Sequence, residues 1–304
     1  MGSLKVWRAD GTLLNSMVVG AKAADAIAPS RITDVTFSPD GQRIAVAQSD
    51  GVVTLWQPTS DSAQQHITAH SDWVTAVDFS ADGRQLATAS RDGRIKLWSA
   101  EDGQFITTLA GHRGWVNALS WSPNGQQLAS GGEDQRLKLW NVAQGQLAWE
   151  VDGHDGESVS AVDFSPDGAW LVSGGGDRTV KRWALAAKAP EILGTHGQPV
   201  TAVAFSPDGK SVASAGSDRT VQLWPLEDTH AQSSVARSTM SLEGHGGSVL
   251  DLAWRPDGER SHLPVLTKPS DCGKCPHRAA IYAGAIWRAA QPGWKNTGRN
   301  RLAR

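Results

Sequence analysis

Residues 70–98 read HSDWVTAVDFSADGRQLATASRDGRIKLW, and this stretch decides the fold. VTAVDF (74–79) is apolar toward both sides, with Thr75, Val77 and Phe79 facing one way and Val74 and Ala76 the other. That is the pattern of a strand covered on two faces. Ser80-Ala81-Asp82-Gly83 is turn chemistry, since glycine supplies a positive φ and aspartate bonds the turn backbone. QLATAS (85–90) predicts a second strand of small residues, Arg91-Asp92-Gly93 a tight hairpin and RIKLW (94–98) a third strand. Glu101-Asp102-Gly103 is the next turn and QFITTL (104–109) the fourth strand. Four short antiparallel strands cannot bury two apolar faces by themselves, so the unit needs neighbours on either side.

The neighbours are copies of itself. Trp7, Trp56, Trp98, Trp140, Trp183 and Trp224 recur at intervals of 49, 42, 42, 43 and 41 residues. Five of them close an apolar run (LKVW, VTLW, IKLW, LKLW, VQLW), while VKRW at 180–183 breaks the rule. A second signature keeps the same beat: Phe37-SPDG, Phe79-SADG, Trp121-SPNG, Phe164-SPDG, Phe205-SPDG and Trp254-RPDG. A period near 40–45 residues is that of a four-stranded propeller blade, so the predicted fold class is an all-β propeller. Stacking the sheets round a ring buries both faces, and closure removes exposed edges. The chain starts with a third strand (4–7) and a fourth (12–19), and supplies a first strand (249–254) at the other end. Five complete copies plus these halves predict about six blades, the terminal strands sharing one; the competing reading is a fragment of a longer array.

The expected domains are a propeller over 1–260 and a non-repeat basic tail over 261–304, read as disordered or as an artefact of truncation. From residue 260 onward the chain holds nine Lys or Arg against Asp271 alone, so the remainder is strongly acidic although the whole carries −2. An acidic body argues against a nucleic-acid surface. The surplus of 14 Trp over 5 Phe and 1 Tyr belongs to the repeat. No apolar run is long enough to span a membrane, and the first 30 residues do not read as a secretion signal. Cys272 and Cys275 both lie in the tail, so disulfides do not hold the body. A soluble cytoplasmic protein is expected.

Gly111-His112, Gly153-His154 and Gly244-His245, with the variants Ala69-His70 and Thr195-His196, precede the first strands. With the FSPDG turn, the hairpin Asp and the strand-ending Trp, they make residues 1–260 resemble WD-repeat β-propellers. The FSPDG form is similar to bacterial members, which often sit in larger signalling proteins. One departure is that no Asp follows the tryptophans, where Arg8, Gln57, Ser99, Asn141, Ala184 and Pro225 stand.

His70, Ser90, Asp92 and Trp98 invite a hydrolase triad, but the set returns as His112/Asp134/Trp140, His154/Asp177/Trp183 and His196/Asp218/Trp224. An active site is rarely written four times round a ring. The resemblance implies instead a buried chain from indole N–H to hydroxyl to imidazole to carboxylate that staples each blade. With Ser90 as the hydroxyl, the corresponding positions are Gly132, Gly175, Gly216 and Gln48, the last in a copy with Ala28 at the His position. The blade of residues 74–109 is therefore expected to be the most strongly stapled, and Asp92→Ala to cost more than Asp218→Ala. No catalytic residue and no cofactor are expected. Cys272-Gly-Lys-Cys275-Pro-His277 resembles half a zinc site without its second pair, so no metal is assigned. Gly174-Gly-Gly-Asp177 lacks the Lys-Ser/Thr of a phosphate loop, and Lys295, Arg299, Arg301 and Arg304 read as a solvated terminus.

The residue opening each first strand is Arg31, Trp73, Trp115, Ser158, Pro199 or Ser248. The resemblance places this position, the residue two before it and the residue before the hairpin Asp on one partner-binding face. Carried over, it joins Arg91, Arg113 and Glu133 to Arg31, Trp73 and Trp115. Tryptophan and arginine dominate binding hot spots; the bland alternative is that the two tryptophans fill gaps between blades. The expected function is a non-catalytic scaffold for protein or peptide partners, without a small-molecule substrate or a membrane. A regulatory module detached from a signalling kinase or NTPase is the second reading. A propeller enzyme is the third, and would need an unrepeated acid or His cluster at the central channel, which the sequence does not reveal.

Overall fold

A computed structural model describes residues 2–7, 12–19, 30–59, 64–187, 189–226, 240–243, 245–254 and 265–267. Five sheets each hold four antiparallel strands in chain order. The first blade comprises Ile32–Phe37, Ile44–Gln48, Val52–Trp56 and Gln64–Thr68. The second holds Val74–Phe79, Gln85–Ser90, Arg94–Ser99 and Phe105–Ala110, and the third Val116–Trp121, Gln127–Gly132, Arg136–Asn141 and Gln146–Asp152. The fourth runs through Val159–Phe164, Trp170–Gly175, Thr179–Ala184 and Ala189–Thr195, the fifth through Val200–Phe205, Ser211–Gly216, Val221–Pro225 and Met240–Leu242. Gly2–Trp7 pairs with Leu13–Val19, and Val249–Leu252 with Val265–Thr267. These two pairs carry the third and fourth, and the first and second, strand positions of the repeat. The inventory is that of a six-bladed β-propeller, and among the described residues no strand pairing joins the two halves. The strand Val265–Thr267 lies past residue 260, inside the expected tail; Cys272, Cys275 and His277 lie outside the described residues.

The FSPDG turn works as its residues require. Gly83 has φ 69°, and Ser80 Oγ donates to Asp82 Oδ1 at 2.6 Å while accepting from Gln85 N at 2.9 Å. Ser38, Ser165 and Ser206 repeat the arrangement.

The core lies between sheets rather than within them. Ala45, Val53 and Leu55 of the first blade pack against Val74, Phe79 and Leu86 of the second, and each later junction follows suit. Leu4, Val6 and Met17 of the N-terminal pair cover Ile44, Val46 and Trp56. Val249 and Leu252 cover Ala213, Ala215 and Val221 of the fifth blade. Close approach explains Gly174, where a Cβ would lie 2.3 Å from Val200 Cγ1 of the next blade. The irregular VKRW run is also accommodated. Arg182, 7% exposed, stacks on Trp170 at 4.2 Å and is neutralised by Glu191, 2.6 Å from its Nη2.

First strands of consecutive sheets lie against one another round a common axis, too far apart to pair by backbone, and side chains bridge them. Asp34 Oδ2 accepts from Val77 N (2.8 Å), Asp78 Oδ2 from Trp121 N (2.9 Å) and Asp163 Oδ2 from Phe205 N (2.8 Å). At the third-to-fourth junction Ser120 Oγ accepts from Phe164 N at 3.2 Å. Thr33 and Thr201 donate to the carbonyls of Val74 and Val249, both at 2.5 Å. Burial raises Asp34 to about 6, helped by the charge of Asp251. Burial likewise raises Asp78 to about 7 and Asp163 to about 6. Enclosure among the first strands raises Asp251 as well, and part of its side chain meets solvent. An acid cluster unseen in the sequence therefore faces the centre of the ring. Asp34, Asp78 and Asp163 are clasps between blades, bonded to backbone N–H groups of the next sheet, while Asp251 accepts from Leu252 N in its own strand.

Candidate protein-interaction face

The His–Asp positions resolve into four complete networks. In the second blade Trp98 Nε1 donates to Thr88 Oγ1 (3.0 Å), Thr88 meets His70 Nε2 (2.8 Å), and His70 Nδ1 meets Asp92 (2.9 Å). The third blade joins Trp140, Ser130, His112 and Asp134 through contacts of 2.8, 2.8 and 2.9 Å. The fourth joins Trp183, Ser173, His154 and Asp177 through 2.8, 2.8 and 2.7 Å. The fifth joins Trp224, Ser214, His196 and Asp218 through 2.8, 2.7 and 3.0 Å.

Two expectations are corrected here. The hydroxyl of the second blade is Thr88, not Ser90, whose Oγ accepts from Asp92 N at 3.0 Å. The other three blades are not deficient, because Ser130, Ser173 and Ser214 supply the hydroxyl. Gly132, Gly175 and Gly216 make room for the pair beside them: a Cβ on Gly132 would lie 2.7 Å from Asp134 Oδ1 and 2.8 Å from His112 Nδ1. In the first blade the equivalent position is Val46, not Gln48. Gln48 instead donates to Thr54 Oγ1 at 2.7 Å, and Thr54 meets His66 Nδ1 at 2.9 Å.

Burial holds His70, His154 and His196 below the ordinary imidazole value. Neutral rings order the protons: indole N–H to hydroxyl oxygen, hydroxyl to Nε2, Nδ1–H to carboxylate. Burial pushes Asp92 and Asp134 up, but hydrogen bonds from His70, His112 and backbone N–H groups outweigh it and bring both below the usual range. Thr88, Ser130, Ser173 and Ser214 are 0% exposed. Each hydroxyl oxygen already accepts an indole N–H, which leaves a substrate no approach. Among the described residues no group of three or more metal-ligating side chains occurs.

The rim is different. The hairpin of one blade packs against the loop leading into the next: Gly93 stands where a Cβ would lie 3.3 Å from Gly114 O. Arg91, bonded through its N–H to Trp73 O at 3.0 Å, is thereby set between the rim residues of two blades. Its guanidinium carbon lies 3.9 Å from the Trp73 ring centroid and 4.2 Å from that of Trp115. Trp115 is 43% exposed; Trp73 and Arg91 are half-buried. Arg31, Arg113 and Glu133 are exposed, and no hydrogen bond, ion pair or ring contact ties their side chains to the stack among the described residues. Their backbones do anchor the loops: Arg113 N donates to Asp134 Oδ2 (3.0 Å) and Glu133 N to Trp115 O (2.7 Å).

A family model described as WD domain, G-beta repeat, matches residues 27–57, 62–99, 103–141, 145–184, 189–225 and 236–266. The chain belongs to the WD-repeat family. WD repeats generally mediate protein–protein interaction. A comparison with curated proteins gives no match. In this WD-repeat ring, sequence repeat and sheet are out of step. The segment 62–99 takes in the outer strand of the first blade and three strands of the second.

Proposed function

We propose that this WD-repeat protein is a non-catalytic interaction scaffold. A protein or peptide partner is received at the rim around Trp73, Arg91 and Trp115, with Arg31, Arg113 and Glu133 at its margin. The observation that supports this most is the stack itself, two indoles and a guanidinium held across a blade junction with Trp115 open to solvent. Residues filling a gap between blades would be covered; a rigid aromatic–arginine cluster at a surface is the composition of a binding hot spot. The four buried Ser/Thr–His–Asp sets argue against chemistry of their own. The cysteine-free body fits a reducing, cytoplasmic compartment.

Affinity capture with the wild type and with Trp73→Ala plus Trp115→Ala tests the reading. The variant is expected to keep its unfolding transition within a few degrees and to lose most of the captured partners. Identical partner sets would remove the rim from the interaction.

A further inference from the structure

We infer that the Trp73–Arg91–Trp115 stack is a carboxylate receptor, so that the partner segment seated on it is acidic. The inference rests on the interaction-face reading above and adds the chemistry of the ligand. Two stacked arginines in this ring allow a comparison. Arg182 lies over Trp170 at 4.2 Å, and Glu191 neutralises it from 2.6 Å. Arg91 lies between two indoles at 3.9 and 4.2 Å, and among the described residues its guanidinium has neither an ion pair nor a hydrogen-bond acceptor. Its Nε is buried without a partner. Buried donors are nearly always satisfied, and an exception calls for an explanation.

None of the acids nearby forms an ion pair with Arg91 among the described residues. Asp92 holds His70, Asp72 accepts the N–H of Trp73 at 2.7 Å, and Glu133 occupies the hairpin of the following blade. Arg31 and Arg113 add exposed positive charge on the same rim without forming ion pairs among the described residues. The facing surfaces of both indoles are taken by Arg91, so the stack cannot cage a cationic side chain. What remains is the outer Nη edge of a guanidinium whose rotamer the two rings already fix, Nε itself being covered. Such a fork matches a carboxylate bidentately, and its pre-ordering lowers the entropy cost of binding. The carboxylate belongs to Asp or Glu side chains, or to a chain terminus.

A library of random decapeptides, synthesised with free and with amidated C-termini, is exposed to the full chain at low and high salt, and the bound sequences are read. Wild type is expected to enrich Asp and Glu over Asn and Gln, with the preference fading at high salt; dependence on the free terminus would identify that source of the carboxylate. Exchanging Glu for Gln in a selected peptide should weaken binding about tenfold. Arg91→Gln should erase the preference with the unfolding transition unchanged. Arg91→Lys, which keeps the charge and loses the fork, should weaken binding about tenfold. Bound peptides with no acidic bias, a bias toward Lys and Arg, or a bias surviving in Arg91→Gln would overturn the carboxylate assignment alone. Unaltered library binding by the Trp73→Ala, Trp115→Ala variant would instead overturn the face, and a wild type that captures no peptide would overturn both.

Discussion

Thr88 and Ser90 stand two residues apart on one strand, and only Thr88 reaches His70. A strand's side chains alternate with period two, so both hydroxyls share a face, and residue type alone could not tell them apart. The deciding fact is where the indole of Trp98 arrives, which depends on cross-strand register: Trp98 lies opposite Leu86, putting Thr88 within reach. The His, Asp and Trp positions were legible because they recur. The hydroxyl recurs with them as Thr88, Ser130, Ser173 and Ser214, but in the second blade Ser90 offers a rival on the same face two residues on, and choosing it moves the position onto Gly132, Gly175 and Gly216 in the next three copies. With four complete networks, Asp92→Ala and Asp218→Ala should destabilise by similar amounts, about 1–3 kcal/mol each, as measured by chemical denaturation. Thr88→Val should cost more than Ser90→Ala by the same measurement; the reverse order would return the hydroxyl role to Ser90.

Between elements, the inner strands hold one another by side chain to backbone bonds, and three of the acceptors are carboxyls raised by burial. A carboxyl whose folded value exceeds its unfolded one binds extra protons in the native state, so its contribution is largest at low pH. For Asp78 it declines as pH rises from about 4 to about 7. Neutral His70, His154 and His196, together with the lowered Asp92 and Asp134, act in the opposite direction and lose stability as pH falls. Asp78→Asn keeps an acceptor for Trp121 N–H without the charge. It is expected to match wild type near pH 4 and to be more stable at pH 8, on the order of 2 kcal/mol. Equal stability of the two proteins at both values, in denaturant titrations, would place the Asp78 carboxyl in ordinary solvent. Nothing in VTAVDF marks Asp78 as special: an acid among apolar residues reads as the wet side of a strand, and only the curvature of the ring gathers it with Asp34 and Asp163.

At the scale of the whole molecule the fold was legible almost entirely, because periodicity reports architecture without any knowledge of individual contacts. Strand counting reveals both strands of the N-terminal half-sheet but only the first of the C-terminal one, whose partner Val265–Thr267 falls in the expected tail, and each half-sheet caps a neighbouring blade. The rim stack was legible only in part. Spacing brought out Trp73 and Trp115, whereas the insertion of Arg91 between them depends on the hairpin of one blade leaning on the next. Removing residues 1–19 should uncover Ile44, Val46 and Trp56, now covered by Leu4, Val6 and Met17. Burial of three such side chains contributes several kcal/mol at about 1.5–3 kcal/mol each. The truncated chain should melt at a clearly lower temperature, and an unchanged transition would show that the N-terminal pair adds nothing to the ring.

The offset between repeat and sheet has a further result. Glu101 and Asp102 sit in an exposed turn just ahead of the outer strand of the second blade. A chain severed there leaves three strands of that sheet on one fragment and the fourth on the other. The two pieces own a common ladder of backbone bonds, so they re-find each other by strand complementation, and the turn becomes a natural place to divide the protein into two unequal fragments that reassemble on mixing.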